Sequence, residues 1–384
     1  MKKTLLATAI AGALAASGAQ AATVYNQDGT KLDLYGNLQI AYRSIEKADE
    51  DTGDVEARDD IFDNGSTLGV AGEHVIYDGL TGYFKYEFEA EADEIKGAGG
   101  LDEGDQAYFG LKGNFGDARL GSWDPLIDDW IQDPITNNEY FDVSDSNSRI
   151  IGIEDSREGN KLQYMSPSFS GFQFALGTQY EGDAEFDGSS ESVDGTGGAS
   201  LTVMEQDDSE ASFFGGVKYT AGAFSIAAVY DNLGNNDGEY TGTDGDGNAI
   251  SGDYDAGDQY GITAQYTVDT LRVSAKLERF ESDNDFVADT NFYGLGARYG
   301  YGNGDIYAAY QYVDVGGGDF IDTADDALTS GDWPNEREDE SYNEMMIGAS
   351  YNVSDAMYVW SEAAWYDREG DVDDGVAVGA TYLF

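Results

Sequence analysis

Four carboxylates, Asp124, Asp128, Asp129 and Asp133, crowd into ten residues and interleave with Leu126, Ile127, Trp130 and Ile131. Acids at this density attract cations or set a local field. At about 100° per residue the apolar four share one side of a short helix, and Asp128, Asp129 and Asp133 share the other. Asp124 is placed to accept from the free N–H groups of the helix start, Pro125 suits the first helical position, and Pro134 discourages continuation. The design predicts one face docked on an apolar wall and carboxylates turned to water. A surface helix with an ordinary core face is the other reading.

Other candidate chemistry is thinner. Asp244, Asp246, Asn248 and Asp255 stand at positions one, three, five and twelve of a calcium-loop-like pattern. Ala249 replaces the glycine at position six, the last ligand is Asp rather than Glu, and no helices flank the segment, so it reads as a solvated acidic loop. With no Cys, thiolate sites are excluded, and His74 as the only imidazole leaves little room for imidazole catalysis or a His-based metal centre. No motif sets a nucleophile beside His74, so neither an enzyme nor a cofactor is expected.

The acidic cluster belongs to a longer stretch, Trp123–Glu158, which also carries Tyr140, Phe141, Val143, Ile150, Ile151 and Ile153. This unpatterned segment demands a surface to pack on. The comparable gaps Asp183–Ser209, Gly234–Ala256 and Gly316–Asp339 are mainly Gly, Asp, Glu, Ser and Thr and read as solvated loops.

Of the 384 residues, Met1–Ala21 read as a secretory signal: Lys2 and Lys3, an apolar run Leu5–Ala16, then Ala19-Gln20-Ala21 as a cleavage pattern. Residues 22–384 form the mature domain. Elsewhere no stretch reaches the roughly 20 apolar residues that a spanning helix needs. Fifty-one glycines against four prolines, with 27 Tyr and 18 Phe, favour strands and turns. Twenty basic against 75 acidic residues give a charge of −55, or −57 once Lys2 and Lys3 leave. Nucleic acid and anionic headgroups are repelled, and such a charge is best tolerated in saline surroundings.

Period-two runs fill the mature chain. Leu32, Leu34, Leu38, Ile40 and Tyr42 face one way while Lys31, Asp33, Asn37, Gln39 and Arg43 face the other; Phe84, Tyr86 and Phe88 alternate with Lys85, Glu87 and Glu89; Leu271, Val273, Ala275 and Leu277 alternate with Arg272, Ser274, Lys276 and Glu278. Short turns fall near Asp78-Gly79, Asn114–Asp117, Ser170-Gly171, Ala221-Gly222, Asp269-Thr270, Asn303-Gly304 and Ser354-Asp355. Longer gaps lie near 46–61, 93–104, 124–158, 183–209, 233–256, 282–289, 316–339 and 368–373. These fifteen connections join sixteen strands. A soluble sandwich would alternate too, but export, one short and one long set of connections, and the lack of any linker favour a closed antiparallel transmembrane barrel. At that strand number the interior is an aqueous channel.

Val24-Tyr25-Asn26-Gln27-Asp28-Gly29-Thr30-Lys31-Leu32-Asp33-Leu34-Tyr35-Gly36 resembles the mature start of the general bacterial porins, and Val376, Val378, Ala380, Tyr382 and Phe384 resemble their closing strand. Leu68–Glu73 and Ala107–Lys112 are similar to internal strands. The resemblance implies a Gram-negative outer-membrane homotrimer of sixteen-stranded barrels, each with a third loop folded inward, passing ions and small hydrophilic solutes. It also implies lipid contact outside and loop acids set against basic residues on the wall. Here Asn37, Thr67 and Asp105 stand where that family usually carries bases, and Arg157 alone is retained. The direction of Asp105 is not fixed by its strand pattern. The expectation is therefore a cation-selective constriction built from Asp124, Asp128, Asp129 and Asp133, with Arg157 the principal counter-charge. A solute-selective channel with a binding site in the constriction, and a barrel serving as adhesin or receptor, are the alternatives.

Overall fold

The computed structural model describes residues 21–48, 55–94, 101–136, 138–150, 159–180, 192–195, 199–205, 211–243, 249–284, 287–317, 341–367 and 372–384. Eighteen strand segments join in one sheet. Two pairs of segments are halves of one strand. Val55–Asp63 and Ser66–Tyr77 both pair with Thr30–Ala48 along one edge, and Ala22–Gln27 and Gly375–Leu383 both pair with it along the other. Subtracting the two interruptions from eighteen leaves sixteen strands. The ring closes where Asn37–Ile45 runs antiparallel to Gly375–Leu383, so among the described residues every strand of the barrel has a neighbour on both sides.

Turn chemistry sets the register. Asp28-Gly29 and Ser170-Gly171 hold both central residues at positive φ (52° and 76°; 55° and 91°), the backbone that a two-residue hairpin requires. All seven predicted short turns separate successive strands. Because side chains alternate across a strand, the apolar set of each run faces outward: Leu34, Leu38, Tyr42, Val273, Leu277, Ile347 and Tyr351 are all exposed. Their neighbours line the bore.

The readings of four long gaps need correction. Residues 183–209 and 234–256 are not wholly solvated loops: Ser192–Gly195, Ala199–Glu205, Gly238–Thr243 and Ala249–Tyr254 form a separate four-stranded antiparallel sheet. Pairing between two different connections satisfies backbone groups that neither could satisfy alone. Val55–Asp63 is a strand inside the supposed gap 46–61, and Leu101–Gly113 begins inside the gap 93–104. Near the long connections both faces of some strands are covered. Glu278, Arg279 and Phe280 are buried in succession, and Phe280 packs with Leu233, Tyr254, Phe292 and Val313.

Candidate pore constriction

Strand Gly116–Ser122 delivers the chain to Trp123, which is buried against Tyr108 (ring centroids 5.9 Å, edge to face) beneath the Arg119 guanidinium (4.2 Å). From there the chain turns into the barrel. Leu126, Ile127, Trp130 and Ile131 pack on the luminal residues Ala175, Phe214, Ala227 and Val229, each such burial contributing about 1.5–3 kcal/mol. The expected helix is one α-helical turn followed by a π-turn at Asp128–Gln132, with Asp133 N donating to Asp128 O at 3.0 Å. Glycine makes room for it: a Cβ at Gly261 would meet Ile131 Cγ2 at 2.7 Å, and one at Gly216 would meet the Trp130 ring at 3.0 Å. The wall also reaches the loop backbone, since Thr263 Oγ1 donates to Ile131 O (2.7 Å) and Ser274 Oγ to Pro134 O.

The second half crosses to the opposite strands. Ile135, Phe141 and Val143 join Ala41, Ile45, Ala309, Met346, Trp360 and Ala364 in a cluster inside the bore. Three luminal glutamates hold the loop's amides. Glu362 accepts from the N–H groups of Glu139 (2.7 Å), Tyr140 (2.9 Å) and Phe141 (2.9 Å), and from Tyr307 OH (2.6 Å). Glu344 accepts from Ser144 N (2.7 Å), and Glu278 from Ser146 N (2.9 Å) and Gln132 Nε2 (2.8 Å). Glu278 is itself paired with Lys276 (2.8 Å), both fully buried. These acids satisfy donors that an irregular buried segment would otherwise leave orphaned.

All four predicted loop acids come together. Asp124, Asp128, Asp129 and Asp133, with Asp142 and Asp145, line one cavity of about 260 Å3. Sequence reasoning missed the last two, although Asp142 alternates with the docked Phe141 and Val143. Asp124 does not cap the helix start as expected; its carboxylate accepts from Gln106 Nε2 (2.9 Å). Asn147 Nδ2 donates to Asp128 (2.9 Å). Burial within the bore, then the charge of Asp124, pushes Asp129 up to about 6 against Arg119, Lys161 and Lys218. Burial, then Asp129 and Asp124, pushes Asp133 up to about 7 against Arg272 and Lys218. Asp145 rises to about 6 through burial and Glu278, opposed by Lys276.

None of the three wall positions Asn37, Thr67 and Asp105 carries a base. Asn37 Nδ2 donates to Thr67 Oγ1 (2.9 Å). Asp105 points inward, its carboxyl group meeting that of Glu87, which Lys85 Nζ contacts at 2.8 Å. Arg43 is engaged by Asp60 (3.0 Å) and Tyr140 OH (2.9 Å). Arg157 lies outside the described residues. The counter-charges that sequence reasoning passed over are Lys85, Arg119, Lys161, Lys218 and Arg272; inward parity was the available signal, as with Lys218 between the exposed Val217 and Tyr219. Of the calcium-like positions, Asp244, Asp246 and Asn248 lie outside the described residues, and among those described no group of acids or His is arranged to hold a metal. His74 Nδ1 meets Thr30 Oγ1 at 2.7 Å, on the outer face of the barrel and away from the bore.

A family model described as Gram-negative porin matches residues 7–371. The chain belongs to that family. This porin is 60% identical over the whole of both chains to two Halomonas proteins, a monosaccharide porin of a Halomonas species and a major outer membrane protein of Halomonas elongata. It is 31% identical to the outer membrane porin protein OmpD of Salmonella typhimurium over about half of each chain (50% and 51%). The fold is shared with an anion-selective porin from Comamonas acidovorans (TM-score 0.62, 18% identity, covering 92% of this chain and 100% of that one) and with Salmonella typhi OmpF in complex with daunomycin (0.61, 20%, 94% and 100%). The porin is an outer-membrane channel for passive solute diffusion and not an enzyme.

Proposed function

We propose that this porin is a cation-selective diffusion channel that also admits small uncharged sugars. One observation carries the reading: six aspartates converge on the loop's cavity, while Asn37, Thr67 and Asp105 occupy wall positions where counter-charge was expected. Of the cations near the acids, Arg119 lies over Trp123 at 4.2 Å and Lys161 at 5.2 Å. A carboxylate-dominated passage raises the local concentration of cations and excludes anions. The anion-selective relative shares only the fold at 18% identity, so its preference does not transfer. The name of the full-length Halomonas relative supports monosaccharides as solutes. Assembly as a homotrimer in contact with outer-membrane lipid, and removal of Met1–Ala21 on export, belong to the same proposal; a trimer form of the structurally similar Vibrio cholerae OmpT supports the first. Reversal potentials in planar bilayers under a KCl gradient test the selectivity: a potential set by K+ supports it, and one set by Cl− overturns it. Liposome swelling that falls smoothly with solute size supports diffusion over a single-substrate channel, and no uptake would favour an adhesin or receptor.

A further inference from the structure

At the short-turn end of the bore, below the constriction, the luminal face changes character from carboxylates to aromatic rings. Tyr83 and Tyr108, on neighbouring strands, meet edge to face with centroids 6.2 Å apart, and Tyr108 continues to Trp123 at the entry to the inward loop. Together with buried Tyr35, these two tyrosines line a cavity of about 290 Å3, closed on one side by Ala21; this is just under the usual range for small-molecule sites, and loss of Met1–Ala21 on export would open it further to the bore. Tyr83 and Tyr108 remain half-exposed to the lumen.

The polar groups around these rings are fixed. Tyr83 OH donates to Asp117, and Lys112 pairs with Glu73 while its Nζ sits 5.2 Å over the Tyr83 ring. Lys85 is held by Glu87 at 2.8 Å and by Gln106 at 3.1 Å. Two cations, Lys85 and Lys112, and three carboxylates, Asp33, Glu73 and Asp117, share the lining. This near balance distinguishes the cavity from the aspartate-lined one above it. It suits neither a free cation nor an anion. It suits an uncharged ligand with apolar faces to lay on aromatic rings and a rim of hydroxyls to hydrogen-bond carboxylate and ammonium groups. A cyclic sugar has that anatomy.

We propose that this cavity is a weak monosaccharide subsite, the pyranose ring seated in the corner between the edge-to-face rings of Tyr83 and Tyr108 while Asp117 and Lys112 take its hydroxyls. The proposal rests on the reading that small sugars cross this lumen. It is tested in proteoliposomes carrying the full trimeric porin, comparing uptake of radiolabelled glucose with that of sorbitol, an acyclic polyol of nearly the same size that offers no ring face. Glucose uptake is expected to saturate with concentration and sorbitol uptake to stay linear. In the double variant Y83A/Y108A the glucose half-saturation is expected to rise about tenfold, a few-fold for each ring removed, with the strand signal in far-UV circular dichroism unchanged as the readout of a folded barrel. Y83L/Y108L, which keeps bulk but no ring, should behave the same way, and Y83F/Y108F should retain saturation. Linear glucose uptake by the wild-type porin, or saturation unchanged in the alanine and leucine variants, overturns the subsite while leaving diffusion standing. Absence of any sugar uptake by wild type overturns the diffusion reading itself.

Discussion

Replacing Glu362 with Gln tests whether the inward loop is held by carboxylates or merely leans on an apolar wall. The wild-type carboxylate, 4% exposed, accepts from three consecutive loop N–H groups and from Tyr307 OH. Hydrogen bonds to a charged group contribute about 1.5–3 kcal/mol each in net terms. An amide offers one acceptor oxygen, and its NH2 group opposes the N–H donors. Water in the bore replaces part of the loss, leaving about 3 kcal/mol against docking of residues 139–141, or roughly a hundredfold in the docked-to-released ratio. Burial of Phe141 supplies about 2–3 kcal/mol in the other direction, so release becomes competitive while the barrel stays closed. Single-channel recording is the assay. The expected result is added current noise, a second and larger conductance level, and weaker ion selectivity, with the barrel's thermal transition little changed. A Glu362→Gln channel with wild-type conductance, noise and selectivity would refute the account of how the loop is held.

Cation selectivity should rise with pH between about 6 and 7, because Asp129 and Asp133, raised to about 6 and about 7, are neutral below that window and charged above it; a reversal potential flat across the window contradicts this. Selectivity should also weaken between 0.1 M and 1 M KCl as the Debye length falls from about 10 Å to about 3 Å, and persistence at 1 M would place selectivity in contact-range binding instead. Gly261→Val should push Ile131 off the wall, since even a Cβ there meets it at 2.7 Å; a loss of about 1–3 kcal/mol and a changed conductance are expected, and thermal melting with bilayer recording measures both. Asp124→Asn should lower K+ over Cl− preference without altering stability, as it keeps an oxygen for Gln106 Nε2; an unaltered preference would remove Asp124 from the constriction.

Much of the barrel was legible because lipid outside and water inside impose one rule on every strand. Leu271–Glu281 declares its two faces by alternation alone, and Ser170-Gly171 declares its turn by residue type. The inward loop was legible for the opposite reason: Trp130, Ile131 and Phe141 have no periodicity that a strand could use, yet must be buried. Partnership between distant segments was not legible. Nothing local in Val55–Asp63, with four acids in nine residues, announces a strand, because its pairing is supplied by Ile40–Ala48. The same holds for Ala199–Glu205 and Gly238–Thr243, which pair across two connections. At the constriction the acids were found by density. Asp142, Lys218 and Arg272 were missed because a lone charge on an alternating run gives the parity of its side chain and not the height in the bore at which it meets the loop.

Closure of the ring places a demand on the order of assembly. Strand Thr30–Ala48 finds its second neighbour in Gly375–Leu383, so that Thr381 Oγ1 comes to lie 3.4 Å from Gln39 Oε1, a partner 342 residues earlier. Until that segment arrives, alternate residues of Asn37–Ile45 hold their amides and carbonyls toward a gap. An intermediate missing only its last strand is thus almost complete in sheet yet exposes a seam on both sides of the opening. The loop-closure entropy of this long-range pairing falls due at the end, and whatever shields the seam during insertion must let go when the final strand is handed over.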